Sequence, residues 1–463
     1  MNTSETASTA VSRLATFVAS AEVPPGAREI ARDAVQDTIG VALAGAAEPA
    51  SVILQRLVGT EGGSGPCSVL GTSNKCGPSF AALANGTAAH ALDFDDMCWI
   101  SLAHPSAPLV SSTFALGEMA DVSGRHLLDA YVVGFEIEAV LGDTMNPLHY
   151  KRGWHGTATI GTLGAAASAS RILGLDAETT GRALAIASSE ASGLKENFGT
   201  MVKPLQGGLA ARNGVLAALL AREGFSASVH AIDGTQGLLI AMQSSRTDLT
   251  DGCEQLGKRW EIVESGITMK LYPSCAATHP TIDTLINLRR EKKFDPSEIE
   301  SVEISVDSVT PTVLIYSQPM NGLEGKFSLH YCAAAALAFG YVGIDTFEPA
   351  TMSSPEVQRI LPLVKMRADN RLGVEAPPLT EARVSLRLSG GKTFERFARG
   401  ARGYPDRPAS SEERDSKFMS CACRVVPVDV AAESLGFLRS LENSDSVRGL
   451  SMRLTGTQLS QSA

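Results

Sequence analysis

Several short polar runs in this sequence carry side chains that can transfer protons or bind anions. The first extends from His90 to Asp96, and it is followed by His104, which lies directly before a predicted helix. This run holds three carboxylates in four residues, which is costly in a protein interior unless the charges are paired. One interpretation is that a carboxylate of the run orients His104 as a general acid or base.

Two other interpretations of this acidic run remain open. It can be a solvated turn in which Ser106 caps the next helix. It can also bind a metal ion, because imidazole and carboxylate groups are common ligands, although the spacing matches no standard motif. The four candidate ligands would be His90, Asp93, Asp95 and His104.

Two further segments place basic groups at predicted helix starts. His155 lies among glycines before one helix, and Lys203 precedes Pro204 at the start of another. A capping-loop histidine and a solvated lysine are the alternatives. Helix N-termini expose free N–H groups and a partial positive charge, which favour anions. If the helix starts near His104, His155 and Lys203 converge, they form a cationic pocket, whose natural ligand is a small polycarboxylate.

A fourth run, from Lys270 to Cys275, falls at the predicted junction of two domains. No activating base flanks Cys275, so we interpret it as a buried thiol and not as a nucleophile. The sequence contains neither a dinucleotide-binding nor a P-loop signature. We therefore expect proton-transfer chemistry that needs no cofactor and no resident metal ion.

The composition limits the partners that this chain can bind. It has 463 residues, of which 44% are hydrophobic, so a folded globular protein is expected. A net charge of −10 argues against binding to nucleic acid or to an anionic membrane surface. The eight dispersed cysteines are typical of reduced, intracellular thiols. The N-terminus lacks the apolar core of a secretory signal, and the longest apolar run, Cys332–Ile344, is too short to span a bilayer. We expect a cytoplasmic protein with a small-molecule partner.

Apolar residues at helical spacing predict helix after helix in residues 1–267. These helices are rich in alanine, glycine and serine, and small faces permit the close approach of neighbouring helices. The clearest predicted segments are Pro25–Ala46, Ala107–Ala120, His126–Leu141, Ala158–Leu173 and Gln206–Glu223.

The pattern changes in residues 268–402. Alternating apolar residues predict strands at Ser301–Val309 and Val364–Ala368, and a hairpin turns at Gly390-Gly391. Residues 403–417 are rich in proline, serine and charge and predict a loop. The expected fold class is mainly α. It combines a large all-α helical bundle domain at 1–267, onto which 403–463 packs back, with a smaller α+β lid domain at 268–402.

These polar runs resemble those of the MmgE/PrpD family, and the similarity extends from about residue 10 to residue 440. Order and spacing of the runs carry the resemblance. The matching runs are ALDFDD (91–96), AHPSAPLV (103–110), GWHGTATIGTLGAAA (153–167), GTMVKPLQGGLAARNG (199–214), MKLYPSCAATHPTID (269–283) and GLEGKFSLHYCAAAAL (322–337).

The resemblance implies a fold and a set of reactions. Members of this family have a large helical domain and a smaller α+β lid, use no cofactor and commonly form homodimers. Their activities include 2-methylcitrate dehydration, cis-aconitate decarboxylation and iminodisuccinate epimerisation. In all three reactions charge builds on a carbon atom next to a carboxylate, so fixed cations and N–H donors stabilise the transition state.

The resemblance also implies the residues of the site between the two domains. They are Asp93, His104, His155, Lys203, Lys270 and Tyr316. Tyr150 matches a tyrosine of the epimerase-like members, where it is paired with the lysine at the Lys203 position. Two residues depart from the family pattern: Met97 replaces a common threonine or serine, and Gln206 replaces a common histidine.

From this comparison we assign two sets of roles. The candidate catalytic residues are His155, Lys203, His104, Asp93 and Tyr150. The candidate substrate-binding residues are Lys270, Tyr316 and Gln206. In this scheme Asp93 sets the protonation of His104, and the lid closes over the substrate and excludes water.

Four functional hypotheses follow. The first is a cofactor-independent lyase of a small polycarboxylate, either a 2-methylcitrate dehydratase-like or a cis-aconitate decarboxylase-like enzyme. The second is an epimerase of a small dicarboxylate such as iminodisuccinate. The sequence runs at 197–204 and 322–328 resemble those of the epimerase branch of the family. The third is a non-enzymatic helical binding protein, and the fourth is a metal-dependent hydrolase that uses the acidic run.

Overall fold

The computed structural model describes residues 9–377 and 379–454, and these residues form a mainly α-helical structure, as the sequence predicts. The helices that precede the central sheet are α1 (Ala10–Ser20), α2 (Pro25–Gly45), α3 (Pro49–Glu61), α4 (Pro78–Ala91), α5 (Ser106–Ala120), α6 (Gly124–Met145), α7 (Leu148–Lys151), α8 (Gly156–Ile172), α9 (Ala177–Glu190), α10 (Val202–Arg222), α11 (Leu238–Ala241), α12 (Thr250–Gln255), α13 (Glu261–Glu264) and α14 (His279–Lys292). The later helices are α15 (Gly322–Gly325), α16 (Leu329–Phe339), α17 (Pro349–Met352), α18 (Pro355–Ile360), α19 (Ser411–Ala422), α20 (Val428–Arg439) and α21 (Arg448–Leu454).

A four-stranded sheet lies in the second half of the chain. Its strands are β3 (Ile299–Val306), β4 (Val364–Ala368), β5 (Glu381–Leu388) and β6 (Thr393–Arg399), and β1 (Cys67–Ser68) and β2 (Lys75–Cys76) form a separate small ribbon. The order in the sheet is β4-β3-β5-β6, with β3 parallel to β4 and antiparallel to β5. Strand β4 occupies the predicted residues, and β5 and β6 form the predicted hairpin.

The buried apolar residues form two main clusters. The larger one joins the helices up to α10 with the C-terminal helices, which contribute Phe418 and Leu438. The smaller one joins the sheet, α14 and α16. Residues of the helical part, among them Met97, Tyr150 and Phe198, belong to this second cluster. The two parts of the chain therefore share a buried seam. Residues 455–463, which we expected within the C-terminal segment, lie outside the described residues.

Three local outcomes differ from the sequence predictions. Lys203 lies in the first turn of α10, because this helix begins at Val202 and not after Pro204. Ser106 is the first residue of α5 and not its N-cap, which is Pro105, and the Ser106 N–H donates to the side chain of Asp96. The segment 403–417 is not all loop, because Ser410 forms a capping box that starts α19.

Helices α2 and α3 together are long and apolar enough to span a membrane, but the chain bends by 86° between them. Within residues 9–377 and 379–454, no single helix is long and apolar enough to do so.

Close packing between α4 and α10 depends on glycine. At Gly208 an added Cβ would collide with the hydroxyl of Thr87 and with the main-chain oxygen of Leu83. Because α4 ends just before Asp93 and α10 begins beside Lys203, the distance between these helices determines how the two side chains meet.

Replacing Gly208 by alanine should therefore destabilise the fold. Overpacking of this kind costs about 1–3 kcal/mol, and we expect a lower urea midpoint and a lower melting temperature. Gly436→Ala in α20 is the matched control, because no atom of the described residues beyond its own surroundings lies within 4 Å of the added Cβ. Alanine favours helix over glycine by roughly 0.5–1 kcal/mol, so that variant should be at least as stable as wild type. Equal stability of both variants would refute this account of the packing.

Candidate active site

The side chain of Asp93 lies at the centre of the candidate site. Its Oδ2 accepts a hydrogen bond from Lys270 Nζ at 3.0 Å, and its Oδ1 accepts one from Lys203 Nζ. Lys270 also donates to the main-chain oxygen of Asp93 at 3.0 Å. Burial alone would raise the pKa of Asp93, but the charges of the two lysines help to hold it well below its usual value. The carboxylate is therefore charged, and two ammonium groups neutralise it.

Three chain segments bring these groups together. Asp93 follows α4 with a φ of 51°, a left-handed conformation that aspartate tolerates better than most residues. Lys203 comes from the first turn of α10. Lys270 comes from a segment that pairs with the chain after Asp93, because Met97 and Thr268 exchange main-chain hydrogen bonds of 2.9 and 2.8 Å.

His90, which we had considered only as a metal ligand, connects Lys203 to a second carboxylate. Its Nε2 lies 3.0 Å from Lys203 Nζ, and its Nδ1 lies 2.7 Å from Asp95 Oδ2. An ammonium group can only donate, so Nε2 must accept and the ring proton must be on Nδ1, from which it is donated to Asp95. Burial lowers the pKa of His90, which is consistent with a neutral ring.

His104 lies beside the same second carboxylate. Its Nδ1 is 3.3 Å from Asp95 Oδ2, whereas its Nε2 is 3.8 Å from Asp93 Oδ1. The nearer carboxylate is thus Asp95, in contrast to the expectation that Asp93 sets the protonation of His104. Burial lowers the pKa of His104 to about 3, so its ring is neutral. Its main-chain N–H donates to Thr157 Oγ1 at 2.9 Å, so the starts of α5 and α8 meet here.

His155 faces this cluster from the start of α8. Its ring stacks on His90 with centroids 5.6 Å apart. Its Nδ1 donates to Gln206 Oε1 at 2.6 Å, and Gln206 Nε2 donates to the main-chain oxygen of Leu194 at 3.1 Å. Both polar ends of Gln206 are thereby occupied, so this side chain positions His155. Burial and the Lys203 charge hold the pKa of His155 well below its usual value.

Tyr316 contacts Phe198, which in turn contacts the site. Its hydroxyl donates to the main-chain oxygen of Phe198 at 3.1 Å, and the Phe198 ring packs edge-on against His155 at 5.0 Å. Gly199 permits this approach, since its φ is +83° and an added Cβ would lie 2.6 Å from the Tyr316 ring. Tyr316 is half-buried, at the margin of the cluster.

Tyr150 is buried beneath Lys195. The Lys195 ammonium lies 3.8 Å from the centre of the Tyr150 ring and donates to the Tyr150 main-chain oxygen at 3.1 Å. Burial raises the pKa of the Tyr150 phenol well above its usual value. The cation that contacts Tyr150 is therefore Lys195, whereas the resemblance to the epimerase-like members implied a pairing with Lys203.

The geometry excludes one earlier interpretation, weakens a second and agrees with a third. Asp93, Asp95 and Asp96 are at most 3% exposed, so the acidic run is not a solvated turn. The four candidate metal ligands offer atoms within 4.8 Å of one another. However, the ammonium groups of Lys203 and Lys270 contact both oxygens of Asp93 and oppose a divalent cation. Burial raises the pKa of Cys275 to about 11, so its thiol is a poor nucleophile.

The arrangement suits an anionic guest. Among the described residues, each ammonium group of Lys203 and Lys270 has two hydrogen-bond acceptors, which leaves one of its three hydrogens for a further partner. The neighbouring imidazoles are neutral, because burial lowers their pKa values, and a neutral ring can accept a hydrogen bond. A site with positioned cations and proton acceptors can stabilise negative charge as it develops on a bound molecule.

Comparison with known proteins identifies the family of the chain. The MmgE/PrpD N-terminal domain matches residues 12–249, and the MmgE/PrpD C-terminal domain matches residues 272–443. The chain belongs to the MmgE/PrpD family. It is 28% identical over 459 residues to a cis-aconitate decarboxylase-like protein of Aspergillus oryzae, with 94% of each chain covered.

Two further members of the family with curated names are cis-aconitate decarboxylases. The Homo sapiens enzyme is 27% identical over 402 residues, which cover 82% of this chain and 80% of the relative. The Aspergillus terreus enzyme is 26% identical over 408 residues, which cover 82% of each.

Sequence reasoning overlooked the roles of three residues in this family member. His90 had been treated only as a metal ligand, Asp95 had not been singled out as the carboxylate beside His104, and Phe198 had not been considered. A signal for His90 exists, because it belongs to the same short polar run as Asp93 and Asp95. No sequence signal indicates that Phe198 packs on His155.

Asp95 should act as a positioning residue for His90 and His104. The Asp95 charge raises the pKa of both rings, so Asp95→Asn should lower both pKa values further. If turnover needs neutral imidazoles, the acidic limb of the pH–kcat profile will move to lower pH. The amide can also turn its NH₂ toward a ring and select the wrong tautomer, so we expect kcat to fall by about 10²-fold.

The neighbouring carboxyl group provides the control for this variant. Asp96 binds Ser106 and no imidazole, and burial raises its pKa to about 8, so Asp96→Asn changes little charge at pH 7. We expect its kcat and pH profile to remain close to wild type. Identical behaviour of the two variants would contradict the role assigned to Asp95.

Proposed function

We propose that this chain is a cofactor-independent acid/base lyase that removes carbon dioxide from a small tricarboxylate of the cis-aconitate type. The observation that carries the proposal is the buried Asp93 carboxylate with Lys203 and Lys270 on its two oxygens. The names of the curated relatives favour decarboxylation over dehydration within the lyase class.

The proposed reaction takes up one proton and releases one molecule of carbon dioxide. In cis-aconitate the methylene carbon carries a carboxylate and adjoins a carbon–carbon double bond. When the bond to this carboxylate breaks, carbon dioxide leaves and its electron pair moves into the allylic system. Negative charge then develops on the carbon next to a remaining carboxylate. That carbon takes up a proton, and the product is a dicarboxylate with a terminal alkene.

The contacts support a division of roles. Lys203 is cationic and contacts His90 and Asp93, so we propose that it delivers the proton to carbon. His155 is the second proton-transfer group, because burial keeps its ring neutral and Gln206 holds its Nδ1 proton. Lys270 and Tyr316 would bind the remaining carboxylates. Positioned acid–base groups of this kind contribute about 10²- to 10⁴-fold to the rate.

The other parts of the proposal concern the whole molecule. We propose that the part of the chain around the four-stranded sheet, residues 268–402, closes over the substrate as a lid. We also propose a cytoplasmic homodimer. An apolar stripe on α3, formed by Val52, Ile53 and Leu57, is exposed and supports the proposed homodimer. All eight cysteines are free thiols, which supports the proposed cytoplasmic location.

Proton NMR in deuterated buffer tests the reaction. We expect cis-aconitate to yield carbon dioxide and a terminal alkene with one deuterium per turnover. Lys203→Met should lower kcat by about 10²- to 10⁴-fold. Lys417→Met, which removes a buried lysine from its pair with Asp37, should stay within about tenfold of wild type. Circular dichroism verifies that both variants are folded.

The same experiment separates the alternatives when 2-methylcitrate, citrate and iminodisuccinate are added to the substrate panel. Loss of water from 2-methylcitrate without decarboxylation of cis-aconitate would replace this proposal by a dehydratase. Inversion of iminodisuccinate with deuterium incorporation and no carbon dioxide would replace it by an epimerase. Binding without turnover of any substrate would favour a binding protein.

Treatment with a chelator tests the metal alternative. Because Lys203 and Lys270 already neutralise Asp93, turnover of cis-aconitate should be unchanged after dialysis against EDTA. Added Mg²⁺ or Zn²⁺ should not increase it. A loss of activity that returns on addition of one metal ion would overturn the metal-free mechanism.

A further inference from the structure

A groove with a volume of about 510 Å³ lies at the seam between the helical part of the chain and the segment that follows β3. We refer to it as the basic groove. Its helical side is formed by residues 151–153 and 194–198, and its other side by residues 308–315. A groove of this size accommodates a small molecule.

The charged side chains of the basic groove are mostly cationic. Lys151, Arg152 and Lys195 line it, with Glu196 as the carboxylate among its lining residues. Lys151 and Arg152 are exposed, and no ion pair or side-chain hydrogen bond links either to another residue in the described part of the chain. Burial lowers the pKa of Lys195 to about 8, which leaves it mostly charged at pH 7. This local excess of positive charge contrasts with the net charge of −10 for the whole chain.

The basic groove adjoins the cluster around Asp93. Phe198 lines the groove, and the same ring contacts His155 at 5.0 Å and lies 5.6 Å from the Lys203 ammonium. The two basic segments are also tied to the site through the main chain. Lys195 N–H donates to Gly153 O at 2.8 Å, and His155 N–H donates to Gly193 O at 3.0 Å. The two basic segments are therefore hydrogen-bonded to each other directly beside His155, and Phe198 is the lining residue that contacts its ring.

We propose that the basic groove is an outer anion-binding site, which holds a small di- or tricarboxylate before it reaches the cluster around Asp93. The identity of this anion rests on the proposed function. Several cations around one concave surface raise the local concentration of an anion and its association rate. The cluster itself cannot supply this attraction at a distance, because the charges of Asp93 and Asp95 balance those of Lys203 and Lys270.

The experiment compares two double variants with the same change in net charge. Lys151→Ala with Arg152→Ala removes two cations from the basic groove. Lys258→Ala with Lys392→Ala removes two exposed lysines that do not line it. The probe is tricarballylate, a tricarboxylate without a double bond, and its Kd is measured by calorimetry. At an ionic strength of about 0.01 M the screening length is about 30 Å.

At this low ionic strength the groove variant should bind tricarballylate about tenfold more weakly than wild type, and the control variant should bind as wild type does. The difference should shrink at about 1 M salt, where the screening length is about 3 Å. For cis-aconitate, the groove variant should show a higher KM at unchanged kcat.

Two results would overturn the outer site. One is equal binding of tricarballylate by the groove variant and the control variant at low salt. The other is a loss in the groove variant that persists at high salt and includes kcat, since that pattern indicates a displaced His155. Wild-type turnover reports separately on the proposed function. If binding of tricarballylate depends on the groove but cis-aconitate is not turned over, the outer site stands and the proposed lyase function is refuted. If cis-aconitate is turned over but binding does not depend on the groove, the lyase function stands and the outer site is refuted.

Discussion

The contact between one buried carboxylate and two buried lysines is the constraint on which the rest of the site depends. An isolated charge in a protein interior is strongly unfavourable, and breaking a buried pair leaves an uncompensated charge. Asp93 avoids this cost because Lys203 and Lys270 contact its two oxygens from two different segments. Removing either lysine would therefore leave the buried carboxylate less well compensated, and the contact holds two ammonium groups in place before any substrate arrives.

Burial in the protein interior also determines whether the imidazole rings are protonated. Burial is the largest cause of the lowered pKa of His90, His104 and His155, and the nearby ammonium groups act in the same direction. The result is a site in which charge is confined to lysine and aspartate while the histidines remain neutral. Neutral rings add no positive charge of their own but can accept hydrogen bonds, and fixed ammonium groups need no reorganisation when negative charge develops.

Much of this could be predicted from the sequence, and the limits have physical reasons. Alternating apolar residues predicted β4 and the β5–β6 hairpin, because a half-buried strand needs that alternation. The polar runs named the residues that meet at Asp93, but not which carboxylate lies beside which imidazole. Asp93 and Asp95 are two residues apart, yet Asp93, which has a left-handed φ, contacts the two lysines, whereas Asp95 lies beside His90 and His104. Phe198 was missed because its contact with His155 arises only when distant segments fold together.

A crystal structure of the complex with tricarballylate tests the central claim most directly. We predict that one carboxylate of the ligand lies within about 3 Å of both Lys203 Nζ and Lys270 Nζ, where each has a hydrogen to donate. The account would be contradicted if the ligand bound instead in the separate cavity lined by Lys326 and Arg424, with the lysines on Asp93 left without any contact to it.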